Sequence, residues 1–349
     1  MHLLNKCFIE YTHEKVAFFL NSGVLKQLYG KHYKRYIDFF TQNQFFHRIK
    51  KHSTTDHTSN LYELNDPNMT VNFHKNENYI LKKKLKRIFE KNEHYTTEIN
   101  TTIPYDIRKK LISDLKSITL DCDAAINYLS TTPAISKRRY QKNLAMLYSI
   151  KDDSLFYTFD LYGRFHSNFS NLKKEIRNNY LKIDGQELFC LDIKSSQPLF
   201  LVQIMKENYL FTNPEINLFI DLVENHDIYN YFKDKCPLLK NDRDRAKKLV
   251  VMTLFDDKNK ITKHKRIFQS FFPKVFKFIE SYQCKYHEPL WKTLQRHESL
   301  FIYNTVYRNI INAIPAIKLF TVHDSIYFPL KYKDQVQEIW YNAIKSLKG

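Results

Sequence analysis

Glu187-Leu188-Phe189-Cys190-Leu191-Asp192 and Ile317-Lys318-Leu319-Phe320-Thr321-Val322 lie far apart in the chain, and each runs into an aspartate. The first is followed by the polar turn Ile193-Lys194-Ser195-Ser196-Gln197 and a new apolar segment from Pro198, so it reads as a strand that delivers Asp192 to its end. The second passes through His323-Asp324 and resumes as Ser325-Ile326-Tyr327-Phe328. β-Branched and aromatic residues around a short polar break indicate a β-hairpin with Asp324 at its tip. A fold that makes these strands neighbours brings two carboxylates together. At intermediate dielectric two such charges a few Å apart repel by several kcal/mol, so they share a proton or hold divalent cations. Hard oxygen donors with no His/Cys cluster nearby select Mg²⁺, with Mn²⁺ as a substitute.

The segment between the two aspartates is helical in texture over about 199–312, and short strands are expected around 155–161, 186–192 and 317–330. Strands on both sides of a helical insertion give an α+β fold. A closing amphipathic helix spans Tyr332 to Leu347. Before residue 150 the reading is mostly helical: an aromatic-rich region over 1–50 containing Val16, Phe18, Phe19 and Leu20, and a helical pair over 106–150 broken near Thr132-Pro133. The polar stretch 51–78 reads as a connector. Leu81-Lys82-Lys83-Lys84-Leu85-Lys86-Arg87-Ile88-Phe89 reads as a helix with one basic face. The expected organisation is a helical N-terminal region over 1–150, a candidate thumb and nucleic-acid binder, followed by 151–349 with the helical excursion at about 205–312.

A formal charge of +18 points to a polyanionic partner, nucleic acid first. No apolar run approaches the roughly 20 residues of a spanning helix, and no signal-peptide pattern opens the chain, so no membrane partner is expected. Five scattered cysteines without a CxxC pair argue for a reducing, intracellular (cytoplasmic) setting and against a zinc site. With only five glycines there is no Gly-rich phosphate loop, so a bound nucleotide must be held by side chains and metal.

Side chains suited to that task occur in Arg243-Asp244-Arg245-Ala246-Lys247-Lys248-Leu249-Val250-Val251-Met252-Thr253-Leu254-Phe255. On a helix, Arg243, Lys247, Val251 and Phe255 share one face. Two cations followed by an aromatic ring suit a triphosphate below a stacked base.

These three pieces, in this order, resemble motifs A, B and C of the family A DNA polymerases and of the single-subunit phage-type RNA polymerases. Asp192 with Ser195 and Gln197 resembles motif A, Arg243, Lys247 and Phe255 resemble motif B, and Val322-His323-Asp324-Ser325 resembles motif C. Gly163-Arg164-Phe165-His166-Ser167 with Asn171-Leu172 and Arg177 is similar to the segment before motif A, and His226-Asp227-Ile228-Tyr229 to the acidic stretch between motifs A and B. The resemblance covers roughly 155–349. It departs at Phe255-Asp256, where motif B usually closes on Tyr-Gly, and at Gln197, where the DNA polymerases usually carry a Glu that excludes a ribose 2′-hydroxyl. Shifting motif B by one residue would put Lys248 in the place of Lys247.

The resemblance implies a palm with an antiparallel sheet, a helical fingers insertion, and two-metal nucleotidyl transfer to a primer end. Asp192 and Asp324 would be catalytic and would ligate two Mg²⁺ with the Ile193 backbone carbonyl. Arg243 with Lys247 or Lys248 would hold the nucleoside triphosphate, Phe255 its base, and Gln197 would stand beside its sugar. Arg164, Arg177 and His323 would contact primer or template. The implied activity is DNA-directed DNA synthesis without proofreading. RNA synthesis, template-independent or protein-primed addition, metal-dependent hydrolysis, and a non-catalytic nucleic-acid-binding protein with this fold are the alternatives.

Overall fold

The computed structural model describes residues 11–12, 15–20, 22–51, 60–65, 79–80, 83–84, 103–132, 137–153, 155–208, 213–256 and 262–348. The chain divides into two compact units, one of Met1–Tyr95, Cys122–Phe156 and Asn171–Lys173, the other of Thr96–Asp121, Tyr157–Ser170 and Lys174–Gly349.

In the first unit, β1 (Tyr11–Thr12), β2 (Lys15–Leu20), β3 (Phe46–Lys50) and β4 (Asn60–Leu64) form an antiparallel sheet in the order β1-β2-β4-β3. The helix Tyr33–Gln42 covers it, packing Tyr33, Ile37 and Phe40 against Leu20, Leu25, Phe46 and Tyr62. This corrects the helical reading of Val16–Leu20. A short continuous apolar run fits a buried helix or a strand equally well, and pairing with β4 decides between them. Asn60–Leu64, inside the stretch read as a connector, is that pairing strand. The basic helix expected over Leu81–Phe89 lies outside the described residues except for Lys83 and Lys84, which are helical. The unit also holds helices Cys122–Thr131 and Lys137–Lys151.

The second unit is built on a five-stranded antiparallel sheet, order β10-β11-β9-β8-β5, from β5 (Ile118–Leu120), β8 (Leu181–Ile183), β9 (Gln186–Asp192), β10 (Phe320–Val322) and β11 (Ser325–Pro329). A separate hairpin joins β6 (Tyr157–Phe159) to β7 (Phe165–Ser167). β8 and β9 are connected by Asp184-Gly185, with φ of 48° and 74°, the left-handed pair whose twist matches a tight hairpin. Among the described residues, ten helical segments run between β9 and β10, from Ser196–Asn208 to Arg308–Ala313. The first of them is buried nearly all round, through Leu199, Phe200, Leu201, Val202, Ile204 and Met205, so it passes through the core. The closing helix Lys333–Lys348 buries only the stripe Val336, Trp340, Ala343. The fold is α+β with an antiparallel sheet, as expected for this part of the chain.

Two anchors fix the hairpin β10–β11. Residues Phe301–Tyr307 form a π-helix, and within it the Tyr303 hydroxyl accepts from the Phe165 N–H at 3.3 Å and shares a hydrogen bond with Thr321 Oγ1 at 3.0 Å. Asp114, on the helix Tyr105–Leu115, is buried and accepts from the Leu319 N–H and from Lys110 Nζ, each at 3.0 Å, and from the Tyr307 hydroxyl at 3.3 Å. Burial raises its pKa despite these donors. Asp114→Ala strips the partner from three buried or half-buried donors and should destabilise the protein by about 3 kcal/mol, while the isosteric Asp114→Asn costs less. Urea unfolding measures the difference, and equal losses for both variants would show that the carboxylate's charge and acceptor oxygens, rather than the volume of the side chain, matter.

Candidate active site

Antiparallel pairing sets Asp192 opposite Ser325, and the Ile193 N–H donates to the Asp324 carbonyl at 3.2 Å. The end of β9 and the β10–β11 turn are therefore neighbours, and Asp192 and Asp324 come together. Each turn contains a non-glycine residue in the left-handed region, Ser195 and His323, both at φ 54°. Such backbone costs energy and persists where the surroundings over-determine it.

The two carboxylates sit in different environments. Asp192 is well exposed, accepts from the Ser325 hydroxyl at 2.7 Å and pairs with Lys174 at 3.1 Å. The Asp192 charge beside it raises the Lys174 pKa. Asp324 is half-buried. Burial and the negative charges of Glu298 and Asp192 push its carboxyl up to about 8.

Glu298 was not singled out in the sequence. It lies on the helix Leu290–Leu300 with a fully buried side chain, and both of its oxygens are used. Oε1 accepts from Arg164 Nε at 3.0 Å and Nη2 at 2.5 Å, and Oε2 accepts from the Ser196 hydroxyl at 2.6 Å and Gln197 Nε2 at 2.5 Å. Arg164 reaches it from a tight turn in which Gly163 has φ +86° and where a Cβ would stand 3.2 Å from Ser299 Cβ, so only glycine lets this turn lie on the helix. Asp160 closes the same turn, accepting from the N–H groups of Tyr162 and Arg164 at 2.9 Å each and holding His166 at 2.9 Å. Burial opposes the charge on Asp160, but these donors outweigh it and keep its carboxyl below the usual range.

The two arginines expected at nucleic acid are both held by protein partners. Arg164 is committed to Glu298, and Arg177 is buried, donating to the Tyr327 hydroxyl at 3.2 Å and the Ser170 carbonyl at 3.3 Å. Both guanidiniums tie scaffold elements together. Gln197, expected beside a sugar, also spends its amide on Glu298. His323 packs edge-on to His166 at 5.4 Å, and burial followed by the Arg164 and His166 charges pushes its pKa down to about 4. It is neutral at pH 7, so it offers a hydrogen bond and no charge.

The helix Arg243–Phe255 is capped by Asp242, which accepts from the Asp244 and Arg245 N–H groups. Its inner side buries Ala246, Leu249, Val250, Thr253 and Leu254. Arg243, Lys247 and Lys248 are all exposed, so both motif B registers leave a lysine facing solvent. Arg243 pairs with Asp227 at 2.8 Å and lies over the Tyr229 ring at 5.2 Å. Burial sends the Tyr229 hydroxyl up to about 12, where it lies beside Ser195. Lys194 Nζ donates to the His226 carbonyl at 3.1 Å, tying the turn after Asp192 to the same loop. At the far end of the helix, Phe255 stacks on Trp291 at 6.3 Å and 18°, and Trp291 meets Tyr162 edge-on at 5.2 Å. This half-exposed aromatic ladder runs from the cationic helix to the Arg164 turn.

Asp192 and Asp324 supply two hard oxygen donors, and burial, with the nearby charges of Glu298 and Asp192, disfavours a bare carboxylate at Asp324. That donor set fits Mg²⁺. Among the described residues no three His, Cys, Asp or Glu side chains converge as a ready-made cage. Mg²⁺ suits such a site because it is usually bound through one or two carboxylates, with water and substrate phosphates completing the shell. No helix among the described residues is long and apolar enough to cross a membrane. No family model matches the sequence, and no curated protein matches it.

Proposed function

We propose that the chain is a nucleotidyltransferase that extends a primer on a nucleic-acid template, with DNA synthesis as the principal reading. The pairing of Asp192 with Ser325 carries it, since this places two carboxylates from distant segments at adjacent turns beside an exposed cationic helix. Asp192 and Asp324, with the Ile193 carbonyl, would hold Mg²⁺, which when bound lowers the pKa of an attacking hydroxyl and neutralises phosphate charge.

The chain's own residues bind and position. Arg243 and Lys247 or Lys248 oppose the triphosphate charge, and the Phe255–Trp291–Tyr162 ladder gives a base a stacking surface. Glu298, by holding Arg164, Ser196 and Gln197 together, keeps the turn after Asp192 in place. Phosphoryl transfer asks mainly for positioning and charge stabilisation, so no nucleophilic side chain is required.

Extension of a labelled primer, with and without template and with dNTPs and NTPs supplied separately, tests this. Template-dependent product identifies the sugar class, whereas template-free product would replace the reading with terminal or protein-primed addition. Arg243→Ala should raise the nucleotide KM by about 10- to 100-fold with kcat changed less, because a charge-assisted contact made equally to ground and transition states is lost. An unchanged KM would remove Arg243 from the triphosphate site.

A further inference from the structure

We propose that the first unit carries a second nucleic-acid site, an exposed shelf of aromatic and cationic residues on the helix Tyr33–Gln42 and the neighbouring strand β3, which takes single-stranded nucleic acid by base stacking. It goes beyond the polymerase reading and does not depend on it.

The inner stripe of the helix, Tyr33, Ile37 and Phe40, already covers the sheet. Tyr36, at the edge of that stripe, and Phe39, further round the helix, nonetheless stand 49% and 55% exposed, and Phe45 just after the helix is 41% exposed. These rings are anchored. Phe39 and Phe45 each lie edge-on to Phe40, at 5.6 and 5.7 Å, and Tyr36 leans on Tyr29 at 5.4 Å. A ring held by its neighbour loses little further freedom when a base stacks on it.

The charge around the shelf is one-sided. Between residues 31 and 51 the sequence has Lys31, Lys34, Arg35, Arg48, Lys50 and Lys51 against a single acid, Asp38, and all six cations are exposed. Arg35 and Phe39 lie one turn apart on the same side of the helix, so cation and ring interleave. A helix lying in a membrane surface segregates its cations and apolar residues onto opposite faces. A second copy of the chain would bring like charges together. Interleaved rings and cations are the pattern that tracks a single strand, with phosphates on the cations and bases on the rings.

The test is fluorescence anisotropy of the full chain with labelled oligothymidylate, oligouridylate and a duplex, in a salt series without Mg²⁺ or nucleotide. Activity at the carboxylates therefore does not enter, and failed primer extension leaves this result standing. Phe39→Ala/Phe45→Ala should weaken single-strand binding by at least about tenfold, with the salt slope and duplex binding unchanged. Lys34→Glu/Arg35→Glu, at exposed positions outside the ring contacts, should weaken it further and flatten the salt dependence. The DNA and RNA arms show which sugar the shelf prefers. The inference is overturned if both variants bind single strands like the wild type. It is also overturned if the aromatic variant loses only self-association in sedimentation or only binding to phosphatidylserine vesicles.

Discussion

Asp192→Asn and Asp324→Asn are each expected to lower Mg²⁺-dependent nucleotide incorporation by about a thousandfold or more, with nucleic-acid affinity nearly unchanged because the basic surface supplies it. Single-turnover extension beside an equilibrium binding assay separates the two effects, and a variant that keeps wild-type turnover would end the metal-pair reading. Asp324 also gives a signature independent of activity. Its folded pKa of about 8 lies above the ordinary 3.8, so the native state holds a proton that the unfolded chain releases. Its contribution to stability is full below about pH 4 and is lost as the pH rises towards about 8. Asp324→Asn cannot ionise. Without divalent cations the variant should therefore be inactive yet more resistant to urea than the wild type at pH 8, with the gap closing at pH 5. A gap that stays constant with pH would mean that another group holds the proton.

Glu298→Ala should be the most destabilising single change in the second unit, costing about 3–5 kcal/mol, because it leaves the Arg164 guanidinium and two further donors in a buried site without an acceptor. Replacing both members of the pair, as in Arg164→Met/Glu298→Leu, should recover much of that loss, since it is the unpaired charge that is costly. A double variant no more stable than Glu298→Ala would mean that the shape of the pair matters more than its charge. Either way, the turn carrying Asp192 loses its tie to the helix Leu290–Leu300. Activity should fall even in variants that remain folded.

The second unit was largely legible because its segments carry clean local patterns. β9 and the β10–β11 hairpin follow from apolar runs that break at polar turns, and the helices between them follow from their periodicity. Asp184-Gly185 is likewise a dipeptide signal for a tight hairpin. The first unit was less legible. Val16–Leu20 has no alternation to separate strand from helix, and its partner β4 sits in a stretch whose composition suggests a connector. In the site, Glu298 looked like one charge among several on an amphipathic helix. Its importance comes from Arg164, 134 positions earlier in the chain. The same distance hid the commitments of Arg164 and Arg177, since a cation near a polymerase-like motif looks available until its buried partner is known.

The π-helix Phe301–Tyr307 bears on how this chain can change over evolutionary time. Its wide turn places Tyr303 and Tyr307 inward on the same rod as Glu298, and all three are almost fully buried. A helix with 3.6 residues per turn would keep the two tyrosines on one face but turn both away from the side that Glu298 occupies. Dropping one residue would restore ordinary helical winding and be locally favourable. It would also detach the rod from Phe165, Thr321 and Asp114, which its tyrosines now hold. Substitutions can accumulate along this segment, but insertions and deletions cannot, so its length should drift far more slowly than its residue identities.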